Sequence, residues 1–123
     1  MYLEPLEKRV TTPQFTYFAS VMNVSEIFSE KIRAVYTRRL VDDIPRDIID
    51  MNFLISKNCN FLKSLTNKKL SEVGYENFSM STFIKRLNLI DEKMWGDDLS
   101  KVMYRVPELK ESINSLINFL KNQ

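Results

Sequence analysis

Side chains able to carry out chemistry are scarce in this sequence, which has no histidine and a single cysteine, Cys59. Without histidine, Ser-His-Asp and Cys-His nucleophilic sites are excluded, as is every zinc site that needs an imidazole ligand. One cysteine cannot supply the four thiolates of a structural zinc site or an iron–sulfur cluster. The two glycines, Gly74 and Gly96, are too far apart to form a phosphate-binding loop. We therefore predict that the protein is not an enzyme and holds neither a metal ion nor a cofactor.

Carboxylates are the remaining groups that could bind a cation. Asp43, Asp47 and Asp50 have helical spacing and could hold a divalent ion through their oxygens. The same residues also suit the start of a helix, because the helix dipole stabilises anions there. We prefer this second interpretation, since the spacing alone demands little. No carboxylate pair indicates a small-molecule substrate.

The best candidate for nucleic-acid binding is the segment 67–90. A short basic helix ends near Gly74, and a second helix then begins with polar residues that could meet base edges and phosphates, as in a helix-turn-helix. The connection between them is longer than the usual turn of about four residues. The candidate contact residues are Lys68, Lys69, Ser79, Ser81, Thr82, Lys85 and Arg86.

A second group of basic residues lies close together in the sequence but not on one helix face. Lys31 and Arg38 flank the apolar face of their predicted helix on one side, and Arg33 lies on the other. With Arg39, they are expected to form a solvated rim around the apolar face. The net charge of +2 likewise does not indicate a dedicated nucleic-acid binder.

The elements that carry these residues are predicted to be helices. Two glycines and four prolines in 123 residues are too few for an all-β fold. Apolar residues recur at steps of three and four along the chain. The sequence predicts an all-α fold, a compact bundle of about five to seven helices around a central helix near 45–65. The bundle forms a single domain over residues 12–123, which begins with Thr12 and Pro13 and follows a loosely ordered segment 1–11.

Several local signals place the helix ends. Residues 23–26, Asn-Val-Ser-Glu, have the pattern of a capping box. Gly74 is a candidate left-handed cap at the end of a helix. Gly96, Asp97 and Asp98 are expected to break the chain and to cap a following short helix. In the central helix, Cys59 falls on the apolar face, so we expect a buried thiol.

The C-terminal helix carries the strongest indication of a protein interface. Its apolar residues alternate steps of four and three, the spacing with which helices pack along their length. Phe119 lies outside that stripe and needs separate cover. We prefer the simpler explanation that this is the closing helix of the bundle. The candidate interface residues are Trp95, Leu109, Ile113, Leu116, Phe119 and Leu120.

Location and partners follow from the same composition. The sequence starts with early charge and no apolar run, and one cysteine suits a reducing compartment, so we expect a cytoplasmic protein. No apolar stretch is long enough to cross a membrane. The leading hypothesis is a non-catalytic helical protein acting through protein partners or self-association, as an adaptor, inhibitor, assembly factor or small subunit. The alternative is a helix-turn-helix DNA-binding regulator that uses residues 67–90.

Overall fold

The computed structural model describes residues 23–39 and 41–123 and is all-helical over them, which confirms the predicted fold class. A 3-10 turn, Val41–Asp43, leads into the second of six α-helices. The predicted segment 1–11 and the helix start at Thr12 and Pro13 lie outside the described residues. The helices are α1 (Val24–Thr37), α2 (Ile44–Ser56), α3 (Lys63–Glu72), α4 (Met80–Leu87), α5 (Glu92–Leu99) and α6 (Leu109–Lys121).

Helix α1 begins at the predicted capping box. The backbone N–H of Glu26 donates to Oδ1 of Asn23 at 2.8 Å, and the backbone N–H of Asn23 donates to Oε1 of Glu26 at 3.4 Å. These two bonds satisfy backbone donors that have no partner within the helix. The predicted start of α1 is therefore confirmed.

Helix α2 is shorter than predicted, because it ends at Ser56 rather than near residue 65. Asn58 adopts a left-handed conformation with φ 63°. Its N–H donates to the carbonyl of Ile55 at 3.0 Å, and the N–H of Cys59 donates to the carbonyl of Leu54 at 3.3 Å. This pair of bonds is a Schellman motif with asparagine in the position usually taken by glycine. The prediction failed because asparagine is only occasionally a stop signal.

Helix α3 ends with the same motif, here built on the predicted glycine. Gly74 has φ 89°, and its N–H donates to the carbonyl of Ser71 at 3.2 Å. The N–H of Tyr75 reaches the carbonyl of Leu70 at 2.9 Å. Glycine adopts this conformation without the steric penalty of a Cβ, so the chain turns away from α3 toward α4.

The expected break at residues 96–98 is wrong, because these residues lie inside α5. The helix is capped earlier, where Oδ1 of Asp91 accepts from the backbone N–H of Met94 at 2.8 Å. Asp97 pairs with Lys93 at 2.6 Å one turn back, and Asp98 pairs with Arg46 of α2 at 3.3 Å. A mid-helix glycine costs only about 1 kcal/mol, and the preceding cap and packing outweigh that cost.

Two neighbouring helices, α1 and α2, form the centre of the bundle. Helix α1 packs against α2, α3 and α4, whereas α2 packs against α1, α5 and α6. Helix α2 therefore has neighbours on several sides, as expected of the predicted central helix. Among the described residues, the largest fully buried side chains are Phe28, Ile32, Ile44, Ile48, Met51, Leu54, Leu70, Phe83, Leu87 and Leu99.

Candidate protein-binding surface

Most of the predicted interface residues face the interior of the bundle. Trp95 is buried, and its indole Nε1 donates to the carbonyl oxygen of Pro107 at 2.7 Å. Three residues of the α6 stripe, Leu109, Leu116 and Leu120, are also buried. Their packing stabilises the bundle, and they present little surface to a partner.

The other two predicted interface residues, Ile113 and Phe119, are half-buried. The ring of Phe119 meets that of Phe28 edge to face, with centroids 5.3 Å apart. Phe119 therefore receives its cover from α1. Ile113 lines a surface cavity of about 390 Å³ between α6 and the connection that leads into α5. The described residues lining that cavity are Asn88, Ile90, Glu92, Leu109, Lys110, Ile113, Asn114 and Ile117.

The two most exposed large apolar side chains among the described residues lie elsewhere, in the connection between α5 and α6, residues 100–108. Val102 is 52% exposed and Tyr104 is fully exposed. The apolar surface of both side chains would be removed from water only if another molecule bound there. We call this segment loop 100–108.

Loop 100–108 is anchored to the bundle at several points. The backbone N–H groups of Val102 and Met103 both donate to the carbonyl of Leu99, at 3.0 and 2.9 Å. The side chains of Met103 and Val106 pack against the core. The carbonyl of Pro107 accepts the Trp95 hydrogen bond. Anchored residues thus lie between the exposed ones, and these contacts hold the loop against the bundle.

Sequence reasoning missed these exposed residues, although a signal was present. Residues 102–106, Val-Met-Tyr-Arg-Val, place several apolar side chains next to one another in a short segment that ends at a proline. In the structure this segment turns and bends, with Met103 and Val106 against the core and Val102 and Tyr104 exposed. The density of apolar residues could have drawn attention to this connection, but no periodicity shows which of them are buried.

Some of the predicted nucleic-acid contact residues bond to other parts of the bundle, and others are exposed. Arg86 donates from Nε to the carbonyl of Val35 at 2.9 Å and from Nη2 to the carbonyl of Arg38. Lys69 pairs with Glu30 at 2.8 Å. The backbone N–H of Thr82 donates to Oγ of Ser79 at 3.3 Å. Lys68, Ser81 and Lys85 remain exposed.

The two helices of the predicted helix-turn-helix also make their main contacts with a third helix. Both α3 and α4 pack on α1, and they contact it more than they contact each other. Residues 73–79 connect them. A helix-turn-helix needs the first helix to brace the second directly. This arrangement gives little support to a recognition role for α4.

Two of the three acidic residues considered for a cation, Asp47 and Asp50, are engaged by basic side chains, whereas Asp43 is exposed. Asp47 is buried, and both its oxygens accept from the guanidinium of Arg38 at 3.0 Å. Lys31 lies 3.6 Å from Asp47 and 2.7 Å from Asp50. Burial raises the pKa of Asp50, and Lys31 opposes that rise. Across the described part of the chain, no group of three or more candidate ligands could hold a metal ion.

Cys59 is buried, as predicted, although it lies beyond the end of α2 and not on the apolar face of that helix. Burial raises the pKa of its thiol from 9.0 to about 11. A thiol with so high a pKa carries almost no thiolate near neutral pH, and the thiolate is the nucleophilic form. Cys59 therefore acts as a small apolar residue of the core.

Comparison of the chain with protein-family models, with curated proteins and with solved structures gives no match. Among the described residues, no helix combines the length and the apolar character needed to span a bilayer. The function must therefore be argued from the chain's own surface.

Proposed function

We propose that this protein is a non-catalytic helical domain that acts through protein–protein contacts, as an adaptor, inhibitor, assembly factor or small subunit of a complex. Loop 100–108 is the proposed contact surface. The observation that carries the proposal is the full exposure of Tyr104 on a loop whose neighbouring residues, Met103 and Val106, are anchored in the core.

Tyr104 suits this role because of its chemistry. Tyrosine offers a large apolar ring and a hydroxyl, and it is enriched among residues that dominate binding energy. An anchored loop also loses less conformational entropy when it binds than a free one does. Val102 adds apolar surface on the same loop, and the exposed side chains of Lys101 and Arg105 add positive charge. These features favour a partner with an apolar, acidic patch.

DNA binding through residues 67–90 has weaker support. Arg86 and Lys69 hold parts of the bundle together, and their charges are engaged in that role. Only part of the predicted basic surface is left to contact phosphates. Because phosphate contacts supply most of the affinity of nucleic-acid binding, this reduction weakens the alternative.

The test compares the unmodified protein with a double variant, Val102→Ser with Tyr104→Ser, as bait in extracts of the source organism. The matched control is Val73→Ser, which also removes an exposed valine. We expect the unmodified protein and the control to recover the same protein partner after nuclease treatment, and the double variant to lose it. All three should have the same melting temperature, since none of the altered side chains is buried.

Two outcomes would contradict the proposal. Recovery that disappears on nuclease treatment would favour the nucleic-acid alternative. Equal recovery by the double variant would show that loop 100–108 does not form the contact. Sedimentation of the purified protein over a range of concentrations tests self-association, which the same variant should abolish if the partner is a second copy.

A further inference from the structure

A surface cavity of about 560 Å³ lies beside the C-terminal half of α1, and its lining is rich in arginine. Its volume lies within the range of about 300–1,000 Å³ that is typical of small-molecule sites. Asp43 is the single acidic side chain among the described residues that line it. The described lining residues are Arg33, Ala34, Thr37, Arg38, Arg39 and Asp43.

Two of the three guanidinium groups are held in place by hydrogen bonds. Arg33 donates from Nε to Glu30 at 2.6 Å and from Nη1 to the hydroxyl of Thr37 at 3.2 Å. Arg38 donates from Nε and Nη2 to Asp47, both at 3.0 Å. Within the described part of the chain, Nη2 of Arg33 and Nη1 of Arg38 have no partner. Each side chain therefore has a fixed position and unused donors.

The third guanidinium group, on Arg39, is exposed and makes no hydrogen bond or ion pair with the described residues. None of its donors is used by another described residue. Arginine suits oxyanions because its planar fork can donate two parallel hydrogen bonds to one phosphoryl or carboxyl group.

The C-terminal end of α1 does not oppose an anion as strongly as a free helix end would. The last carbonyls of a helix carry partial negative charge. In this protein, Arg86 donates to the carbonyls of Val35 and Arg38, and so adds a fourth positive charge at this end of the helix. Burial alone would raise the pKa of Glu30, but hydrogen bonds from Lys69 and Arg33 outweigh that effect, and the pKa is lowered overall. Glu30 therefore stays ionised and keeps Arg33 in position.

We propose that this cavity binds a small ligand through a pyrophosphate group, with Arg39 as the principal contact and Arg33 and Arg38 as fixed supports. Three arginines exceed what a single phosphate requires, and the cavity is larger than one phosphate would fill. The pyrophosphate group could be free or part of a nucleoside diphosphate, and the two sources share the chemistry that the arginines recognise.

Isothermal titration calorimetry at low salt tests the proposal, with pyrophosphate and ADP as separate probes and sodium chloride of equal ionic strength as the blank. The variants are Arg39→Ala, Arg39→Lys and, as a control for lost positive charge, Lys121→Ala at the exposed end of α6. We expect one site per chain, a loss of affinity of about tenfold or more in Arg39→Ala, and partial retention in Arg39→Lys. Lys121→Ala should change the affinity by less than about twofold.

The two probes distinguish the sources of the group. Tighter binding of ADP than of pyrophosphate would support a nucleoside diphosphate, and the reverse would support the free ion. Absence of saturable binding by both probes would overturn the proposal, as would equal losses in Arg39→Ala and Lys121→Ala. Binding of a short single-stranded oligonucleotide that depends on Arg39, without binding of either probe, would also overturn it. Arg39 is exposed and has no partner among the described residues, so Arg39→Ala should keep the melting temperature of the unmodified protein.

Discussion

The guanidinium group of Arg86 in α4 donates from Nε to the carbonyl oxygen of Val35 in α1, at 2.9 Å. A second bond runs from its Nη2 to the carbonyl of Arg38. The last carbonyls of a helix have no partner within that helix. Arg86 therefore caps α1 from a distant part of the sequence, and this tie fixes α4 on the surface of α1.

We expect Arg86→Ala to lower the free energy of unfolding by about 1–3 kcal/mol, because it leaves two partly buried carbonyls without their charged donor. Lys85→Ala, at the exposed neighbouring position, should cost less than about 0.5 kcal/mol. Urea denaturation of both variants measures the difference. Equal costs would mean that the Arg86 bonds contribute nothing to stability.

The left-handed conformation of Asn58 gives a second prediction. Asn58→Val should lower the free energy of unfolding by about 1–2 kcal/mol, because a β-branched side chain is strained at φ 63°. Asn58→Gly should cause no loss. Asn60→Val is the control at a nearby exposed position with ordinary φ. Thermal or urea unfolding is sufficient, and a harmless Asn58→Val would show that α2 does not end in this motif.

The buried thiol of Cys59 makes stability depend on pH in the alkaline range. Its pKa is about 11 in the folded protein and near 9.0 in the unfolded chain. Between these values the unfolded chain releases the proton while the folded protein keeps it, so the free energy of unfolding falls as the pH rises, by at most about 1.4 kcal/mol per pH unit. Cys59→Ala should have a shallower slope.

Tyr36 also makes the free energy of unfolding fall as the pH rises, because burial raises the pKa of its hydroxyl. The unmodified protein and Cys59→Ala both contain Tyr36, so the difference between their slopes isolates the thiol. Urea denaturation at several pH values from 8 to 11 measures it. Parallel slopes for the two proteins would contradict a buried, protonated Cys59.

Substitution of Phe119 tests whether this residue belongs to the core or to an interface. Its ring meets Phe28 edge to face, so Phe119→Ser should lower the free energy of unfolding by about 3 kcal/mol. Asn118→Ser, on the exposed side of α6, should leave stability unchanged. If Phe119→Ser instead kept its melting temperature and lost self-association in sedimentation, Phe119 would belong to an interface.

The features that sequence reasoning predicted are those determined within a few residues. The capping box at Asn23 and the glycine cap at Gly74 each depend on one turn of helix, and the local pattern contains all the information needed. The all-α class follows from apolar spacing summed over the whole chain. Agreement of many weak local signals is sufficient for such a property.

The features it missed depend on contacts between distant segments. At Asn58 and at Gly96, the local sequence is compatible with a helix that ends and with one that continues. Packing against the rest of the bundle decides which of the two occurs. The partner of Arg86 is a helix end about fifty residues away, which no periodicity can reveal. The exposure of Tyr104 depends on which neighbouring side chains find room in the core.

The position of α1 has a consequence for biosynthesis. Its apolar face is made before all the described segments that cover it, and Phe28 meets Phe119 only after α6 has been translated. A nascent chain that has reached only α4 therefore exposes part of that face, the kind of surface that chaperones recognise and that promotes aggregation. We therefore expect that the bundle is completed only after α6 has been translated, and that ribosome stalling before α6 yields a protease-sensitive chain.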